Sequence, residues 1–244
     1  MPLRTLPRWR GWPYPAAGPR LGGIAGVAGP VAFTVAWVAA SLLQPGHSAG
    51  EVQISGLAAP DARDPWIMIT GFVVLGGCSV AFGSALRAEL GGAGRAGPGP
   101  RLIQAAGVLT IAAGLLRRDR MLLTSPAGES WHNHAHDLVS IPIYLSLVAV
   151  PLLLARRFRG DPRWGALRVP LAAGGLATLA VLAVFVAGAF PAWDAVAQRI
   201  GVTVPLAALC AVAARLLATG QAGPARGAAD PGAPDPDAAH AGAA

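Results

Sequence analysis

The feature that most constrains this chain is a series of apolar runs, each about as long as a lipid bilayer is thick. The first, Leu21 to Leu43, contains no charged residue, and roughly 20 apolar residues in an α-helix cross the hydrocarbon core. It is longer than the apolar core of a signal peptide, which has roughly 7 to 15 residues. With 54% of its residues hydrophobic and 13% charged, the chain is too apolar for an ordinary soluble domain.

Six such runs predict an all-α fold, a polytopic membrane helical bundle with six transmembrane helices. The approximate spans are 21–43, 66–86, 102–116, 138–155, 169–190 and 200–218. The third is the shortest, because the charged run from Arg117 to Arg120 interrupts it; it extends to Leu123 if these arginines snorkel to the interface. The six spans form one domain, 21–218. We expect a basic flexible arm at 1–20 and a disordered tail at 219–244.

The basic residues predict the orientation of the bundle. All 19 are arginines, and the formal charge is +7, but they lie between apolar runs and form no continuous basic face, which argues against nucleic-acid binding. Most fall in the N-terminal arm, 87–101 and 156–168, on one side of the membrane if six spans alternate. The positive-inside rule then places both termini in the cytoplasm. We expect a plasma-membrane protein in contact with lipids, either alone, as a homo-oligomer or with another membrane protein.

Polar chemistry is concentrated in Trp131–Asp137, which contains three of the five histidines. If a helix begins near His132, its rotation of about 100° per residue puts His132, His136 and Ser140 on one face. If the segment is extended, all three histidines alternate onto one side instead. Pro142 bears on this choice, and the kinked helix is preferred because membrane helices accept proline.

Two histidines one helical turn apart can share a divalent metal ion such as zinc. The candidate ligands are His132, His136 and Asp119. A metal-dependent hydrolase at the membrane surface would use such an ion to activate water, and the catalytic candidates are Asp119, Asp137 and Ser140. The structural alternative is that these are interfacial histidines bonded to carboxylates and water. No familiar catalytic fingerprint is present in the sequence.

Other polar residues are predicted on the same extracytoplasmic face. They are His47, Ser55, Asp61, Asp64 and His134. The leading functional hypothesis is an integral membrane protein whose His/Asp-rich outer site binds a lipid headgroup, a metal ion or a partner protein, and the hydrolase is the alternative. A small-solute transporter is less favoured, because the spans carry almost no ionisable residue near the midplane.

The layout resembles a family of six-span prokaryotic membrane proteins catalogued as domain of unknown function 998. The resemblance covers roughly residues 20–218 and rests on the Gly-rich first span, Ile54-Ser55-Gly56-Leu57, Trp66 followed by Gly71-Phe72 and Gly76, Asp119, and His132 with His136-Asp137. It implies the six-helix fold and the same list of site residues, but no activity. The chain departs from the family pattern at Gly56, where an acidic residue is common, and at Arg117-Arg118, where apolar residues are common.

Overall fold

The structure is a computed structural model that describes residues 18–91, 95–122 and 129–221. The described residues form α-helices and short 3-10 helices and contain no β-strand, so the all-α prediction is confirmed for them. Six α-helices have both ends within the described residues: α1 Pro19–Leu43, α2 Pro65–Glu89, α3 Gly99–Leu115, α4 Trp131–Arg157, α5 Arg168–Val186 and α6 Asp194–Gln221. The predicted flexible arm and disordered tail lie almost entirely outside the described residues.

Five of the described helices are long and apolar enough to cross a membrane, judged by length and composition. They are α1, α2, α4, α6, and α5 together with the 3-10 helix before it. The remaining helix, α3, has 17 residues and is therefore about 26 Å long, shorter than the roughly 30 Å of a bilayer core. The chain is thus a multi-pass membrane protein with several lipid-contacting helices.

The helix that carries the histidines starts earlier than the predicted span 138–155. It begins at Trp131 because Ser130 caps it, with Ser130 Oγ accepting a hydrogen bond from His132 N at 3.2 Å. The segment is therefore helical, as in the preferred alternative, and it is not extended. Pro142 lies inside the helix. Residues 131 to 137, most of which are polar, form its first turns. The predicted span excluded them because it was limited to the apolar run.

The six helices form a closed ring in chain order. Each packs against the next along the chain, and α6 returns to pack against α1. Residues 44–64, 116–122 and 187–193 meet at one end of the ring, where Met121 N donates to Asp61 Oδ1 at 2.8 Å and Ala195 N to Gly50 O at 3.1 Å. We call this the polar end, and the opposite end, which contains the connection 158–167, the arginine end.

Helices α2 and α3 approach each other backbone to backbone through two glycines. A Cβ built on Gly107 would lie 2.6 Å from the carbonyl oxygen of Gly76, and a Cβ built on Gly76 would collide with the carbonyl oxygen of Gly107. Small residues allow such close approach between membrane helices. The position of α3 in the ring therefore depends on these two residues lacking side chains.

Gly76→Ala is expected to destabilise the protein by about 1–3 kcal/mol, because the added methyl group forces α2 and α3 apart. The neighbouring Gly77→Ala is the control, since nothing lies within 4 Å of a Cβ built there. In an aqueous helix Ala is favoured over Gly by about 1 kcal/mol, so the control should be neutral or slightly stabilising. Thermal unfolding of the two purified variants in detergent tests this; equal midpoints would contradict the packing argument.

Candidate functional site

A cavity of about 310 Å³ lies inside the helix ring. All six helices contribute to it, together with the 3-10 helix Ile54–Ala58. Its walls are mainly apolar, and its charged, amide and imidazole groups come from the residues nearest the polar end: Gln53, Arg118, His136, Asp137 and Gln198. The volume is at the lower end of the roughly 300–1,000 Å³ typical of small-molecule sites.

The carboxylate of Asp119 fixes the start of α4 beside this cavity. It accepts hydrogen bonds from Ser130 N at 2.6 Å and from Ser130 Oγ at 2.5 Å. These two bonds, the side-chain one first, lower the pKa of the Asp119 carboxyl from its ordinary value. Asp119 therefore holds the residue that caps α4 and keeps its negative charge near the helix N-terminus, where a negative charge is favourable.

Asn133 joins the same network from inside the protein. It is fully buried, with 0% of its surface exposed. Its Oδ1 accepts from Asp119 N at 3.4 Å, and its Nδ2 donates to Glu129 Oε2 at 2.8 Å and, at 3.4 Å, to Asp137 Oδ2. One amide thus orients three acidic residues, including the one that lines the cavity.

His136 lies between the end of α3 and the cavity and is only 3% exposed. Its Nδ1 is 2.9 Å from Ala113 O and 2.8 Å from Leu116 O. Because carbonyl oxygens only accept, Nδ1 carries the hydrogen and satisfies carbonyls that the end of α3 leaves without a partner. This leaves Nε2, on the other side of the ring, as the nitrogen that can meet a ligand.

Arg118 and Asp137 form an ion pair at the polar end of the cavity. Arg118 Nη2 donates to Asp137 Oδ1 at 2.7 Å, with the arginine side chain 14% and the aspartate side chain 44% exposed. The Nε of Arg118 is buried and has no hydrogen-bond partner within the described ranges. Beside this pair, Gln198 Nε2 donates to Tyr144 Oη at 2.7 Å, and Gln198 Oε1 accepts from Ile54 N at 2.8 Å. The pair therefore gives the cavity a charged surface at this end.

The predicted metal ligands occupy different surroundings. His132 is exposed and stacks on Trp131 with ring centroids 3.7 Å apart, whereas His136 is buried and Asp119 is bonded to Ser130. His134 is exposed, with Nδ1 3.8 Å from Glu129 Oε2. Across residues 18–91, 95–122 and 129–221, no three His, Cys, Asp or Glu side chains are grouped so that they could hold a metal ion.

The remaining predicted site residues divide between the cavity and the loops. Ser55 is buried and lines the cavity, and so does Ser140, whose Oγ donates to the carbonyl of its own helix at His136. Asp61 accepts from Met121 N, and Asp64 accepts from Trp66 Nε1 at 3.4 Å, so these two acids organise the loops. His47 lies beside Arg199, and burial followed by the charge of that arginine lowers the pKa of its imidazole.

The sequence did not indicate three residues of this region. Asn133 lies within Trp131–Asp137 but belongs to no motif there, and Gln198 and Arg199 precede the predicted sixth span without any motif. The one available signal was two adjacent polar residues at the edge of an apolar run. Their partners Ile54 and Ala49 lie more than 140 positions away in the chain, so no local spacing could identify them.

Comparison with known proteins identifies a family. A family model with the description "Protein of unknown function (DUF998)" matches residues 27–215, a range that includes parts of all six helices and every residue named around the cavity. No curated protein and no solved structure matches the chain significantly.

Asp119 is expected to make the protein lose stability in acid. Its folded-state pKa is lowered, so its contribution is present above the unfolded value of about 3.9 and is lost as the pH falls through the lower folded value. Asp119→Asn should therefore unfold at a lower temperature than wild type at about pH 5, and the difference should narrow towards about pH 3. Thermal unfolding across this range, with Asp64→Asn as control, tests this. A difference that does not change with pH would contradict it.

Proposed function

This chain belongs to the family described as "Protein of unknown function (DUF998)", and from its geometry we propose that it binds an amphipathic molecule, a single-chain lipid or an equivalent, in the central cavity. In this proposal the apolar part of the ligand lies between the helices. Its polar head lies at the polar end, beside Arg118, His136 and Asp137. The polar end faces the extracytoplasmic side of the membrane.

The observation that carries the proposal is the change in polarity along the cavity. Val150 and Leu209 line it at one extreme, and the Arg118–Asp137 ion pair lines it at the other. A fully polar solute would leave the apolar walls without a matching surface, and a hydrocarbon would place an apolar group against the ion pair. A molecule with an apolar chain and a polar head satisfies both parts.

A thin apolar wall between α4 and the end of α5 supports a ligand that arrives from the lipid phase. Ile141 on α4 and Val186 at the end of α5 both line the cavity, yet they are 57% and 81% exposed. Between α4 and the end of α5, the wall of the cavity is therefore formed by apolar side chains that also face the outer surface. In this proposal a lipid chain enters between them, and its head stays beside Asp137, one helical turn before Ile141.

We further propose that all six helices span the membrane with both termini in the cytoplasm. Although α3 is short, it packs in the ring between α2 and α4. If α3 did not cross the membrane, α4, α5 and α6 would each cross it in the opposite direction. The arginine-rich connection 156–168 at the arginine end supports a cytoplasmic location by the positive-inside rule. Exposed Trp66, Trp131 and Trp193 at the polar end are typical of the opposite membrane interface.

Filling the cavity is expected to abolish ligand binding. Ala106 lines it, whereas the preceding Ala105 is exposed on the outer surface of the same helix. Ala106→Phe should lower the affinity for a fluorescent single-chain lipid by at least about tenfold, because the ring and the lipid chain cannot share the space. Ala105→Phe should bind like wild type. Titration of the purified proteins in detergent measures both, and equal affinities would exclude the cavity as the site.

The recognition of the head can be tested separately. Arg118→Gln is expected to weaken the binding of a single-chain lipid with an anionic head by about 1.5–3 kcal/mol, the usual contribution of a hydrogen bond to a charged group. Arg117→Gln removes the same charge from an exposed neighbour that does not line the cavity, and should have little effect. A similar loss in both variants would indicate general electrostatic attraction instead of a defined head site.

The proposed orientation predicts which cysteines an impermeant thiol reagent can reach. In a background with Cys78→Ser and Cys210→Ser, His134→Cys at the polar end should be labelled in intact cells, since this side chain is 67% exposed. Arg159→Cys, exposed at the arginine end, should be labelled only after permeabilisation. The reverse pattern would overturn the orientation, and labelling of both in intact cells would overturn the six-span topology.

A further inference from the structure

A second polar site surrounds Arg199 near the start of α6. This arginine is 8% exposed. Its Nη1 donates to Ala49 O at 2.8 Å and to Ala195 O at 3.0 Å. Its Nε and Nη2 are buried and have no hydrogen-bond partner in the part of the chain that the structure describes, and none of the ion pairs there includes it.

The two unused nitrogens form one edge of the guanidinium group. Their N–H bonds run nearly parallel, which is the arrangement that binds two oxygens of a carboxylate or a phosphate at once. The carbonyls of Ala49 and Ala195 accept hydrogen bonds but leave the positive charge uncompensated. A buried cation without a counter-charge is strongly unfavourable. The ring of Trp37, 5.5 Å from the Arg199 Cζ, offsets only part of that cost.

Other buried polar groups without hydrogen-bond partners in the described ranges lie on α1 and in the loop that follows it. Both ring nitrogens of His47 and the Oγ of Ser41 are buried and lack a hydrogen-bond partner within the described residues. Ser41 follows Trp37 by one helical turn and so shares the face of α1 that carries the ring over Arg199. His47 lies two residues before Ala49, whose carbonyl accepts from Arg199, and burial followed by the charge of Arg199 lowers the pKa of its imidazole. The contacts of Arg199 with Trp37 and Ala49 therefore bring the segments that carry Ser41 and His47 to this arginine.

We propose that Arg199, His47 and Ser41 bind an oxyanion, a carboxylate or phosphate group, at a site separate from the central cavity. None of these three residues lines the cavity. Arg199 receives the two oxygens on its free edge, while His47 and Ser41 donate to the remaining lone pairs. The polar end lies at the level of lipid headgroups in the proposed topology. The oxyanion therefore comes either from a phospholipid headgroup or from a free anion in solution.

The chain's own acids near this site do not supply the counter-charge. Glu51 lies in the same loop and is exposed, and Asp194 begins α6. Neither is paired with Arg199. Glu51→Gln is therefore expected to leave anion binding unchanged and serves as one control.

The test uses the purified full-length protein in a phosphate-free detergent. Sodium phosphate and sodium acetate, compared with sodium chloride at equal ionic strength, should raise the unfolding temperature in a saturable way, because a ligand that binds only the folded state stabilises it. Arg199→Lys keeps the charge but loses the two-pronged edge, so the apparent affinity should fall by about tenfold or more. His47→Ala and Ser41→Ala should weaken it while leaving the Arg199 bonds to Ala49 and Ala195 intact. Arg63→Gln removes a positive charge from the same loop and should leave anion binding unchanged.

A second set of measurements separates the two sources of the oxyanion. If a short-chain phospholipid raises the unfolding temperature and inorganic phosphate and acetate do not, the site binds a lipid headgroup; if the small anions raise it, the site binds free anions. No rise with any of these probes in the wild-type protein overturns the proposal, as does an equal rise in wild type, Arg199→Lys and His47→Ala. Ala106→Phe should keep the anion effect, so failure of the cavity proposal and failure of this one give different results.

Discussion

The structure depends on one constraint, which is that polar groups inside a bilayer must find their partners within the protein because no water is there to supply them. The hydroxyls in the middle of the helices meet it locally. Thr34, Ser84, Thr110, Ser146 and Thr178 each donate to the carbonyl four residues earlier in their own helix. Such residues are satisfied without a ligand. Side chains with unused donors instead gather at the polar end, and this contrast separates the candidate sites from the polar residues that serve packing.

Close packing of small residues holds the helices together around the cavity. Towards the arginine end the ring is closed by small residues, since a Cβ built on Gly23 would lie 2.6 Å from Leu217 and one built on Gly26 would lie 2.6 Å from Ala213. There α1 and α6 are in direct contact, and Leu154, Phe158 and Trp164 fill the core between the other helices. Towards the polar end such close contacts continue, at Gly71 against Ala36, at Gly114 against Phe72 and at Gly201 against Leu182. The glycines therefore bring neighbouring helices together around the whole ring, and the cavity lies inside it.

The sequence predicts where the helices lie, but it does not predict what the side chains of the sites contact, and the reason is physical. Apolar runs of membrane length identify helices because each run can be read by itself, and the short motifs around Ser55, Asp119 and His136 correctly identified the family. The role of His136 could not be read in this way. Its spacing from His132 suggested a shared metal ion, whereas its Nδ1 donates to carbonyls at the end of another helix. Spacing along one helix fixes which residues share a face, but not what that face meets.

The adjacent residues Gln198 and Arg199 show how the two proposed sites are connected. Successive residues of a helix point about 100° apart, so Gln198 faces the cavity while Arg199 faces α1. Gln198 accepts from Ile54 N, and Arg199 donates to Ala49 O. Both bonds hold the loop 44–64, which contributes Gln53 and Ser55 to the cavity lining. An oxyanion on the free edge of Arg199 would compensate its charge while Nη1 keeps its bond to Ala49 O, so the bound anion would help to hold this part of the loop in place. The shape of the cavity at its polar end is therefore not independent of what occupies the neighbouring site.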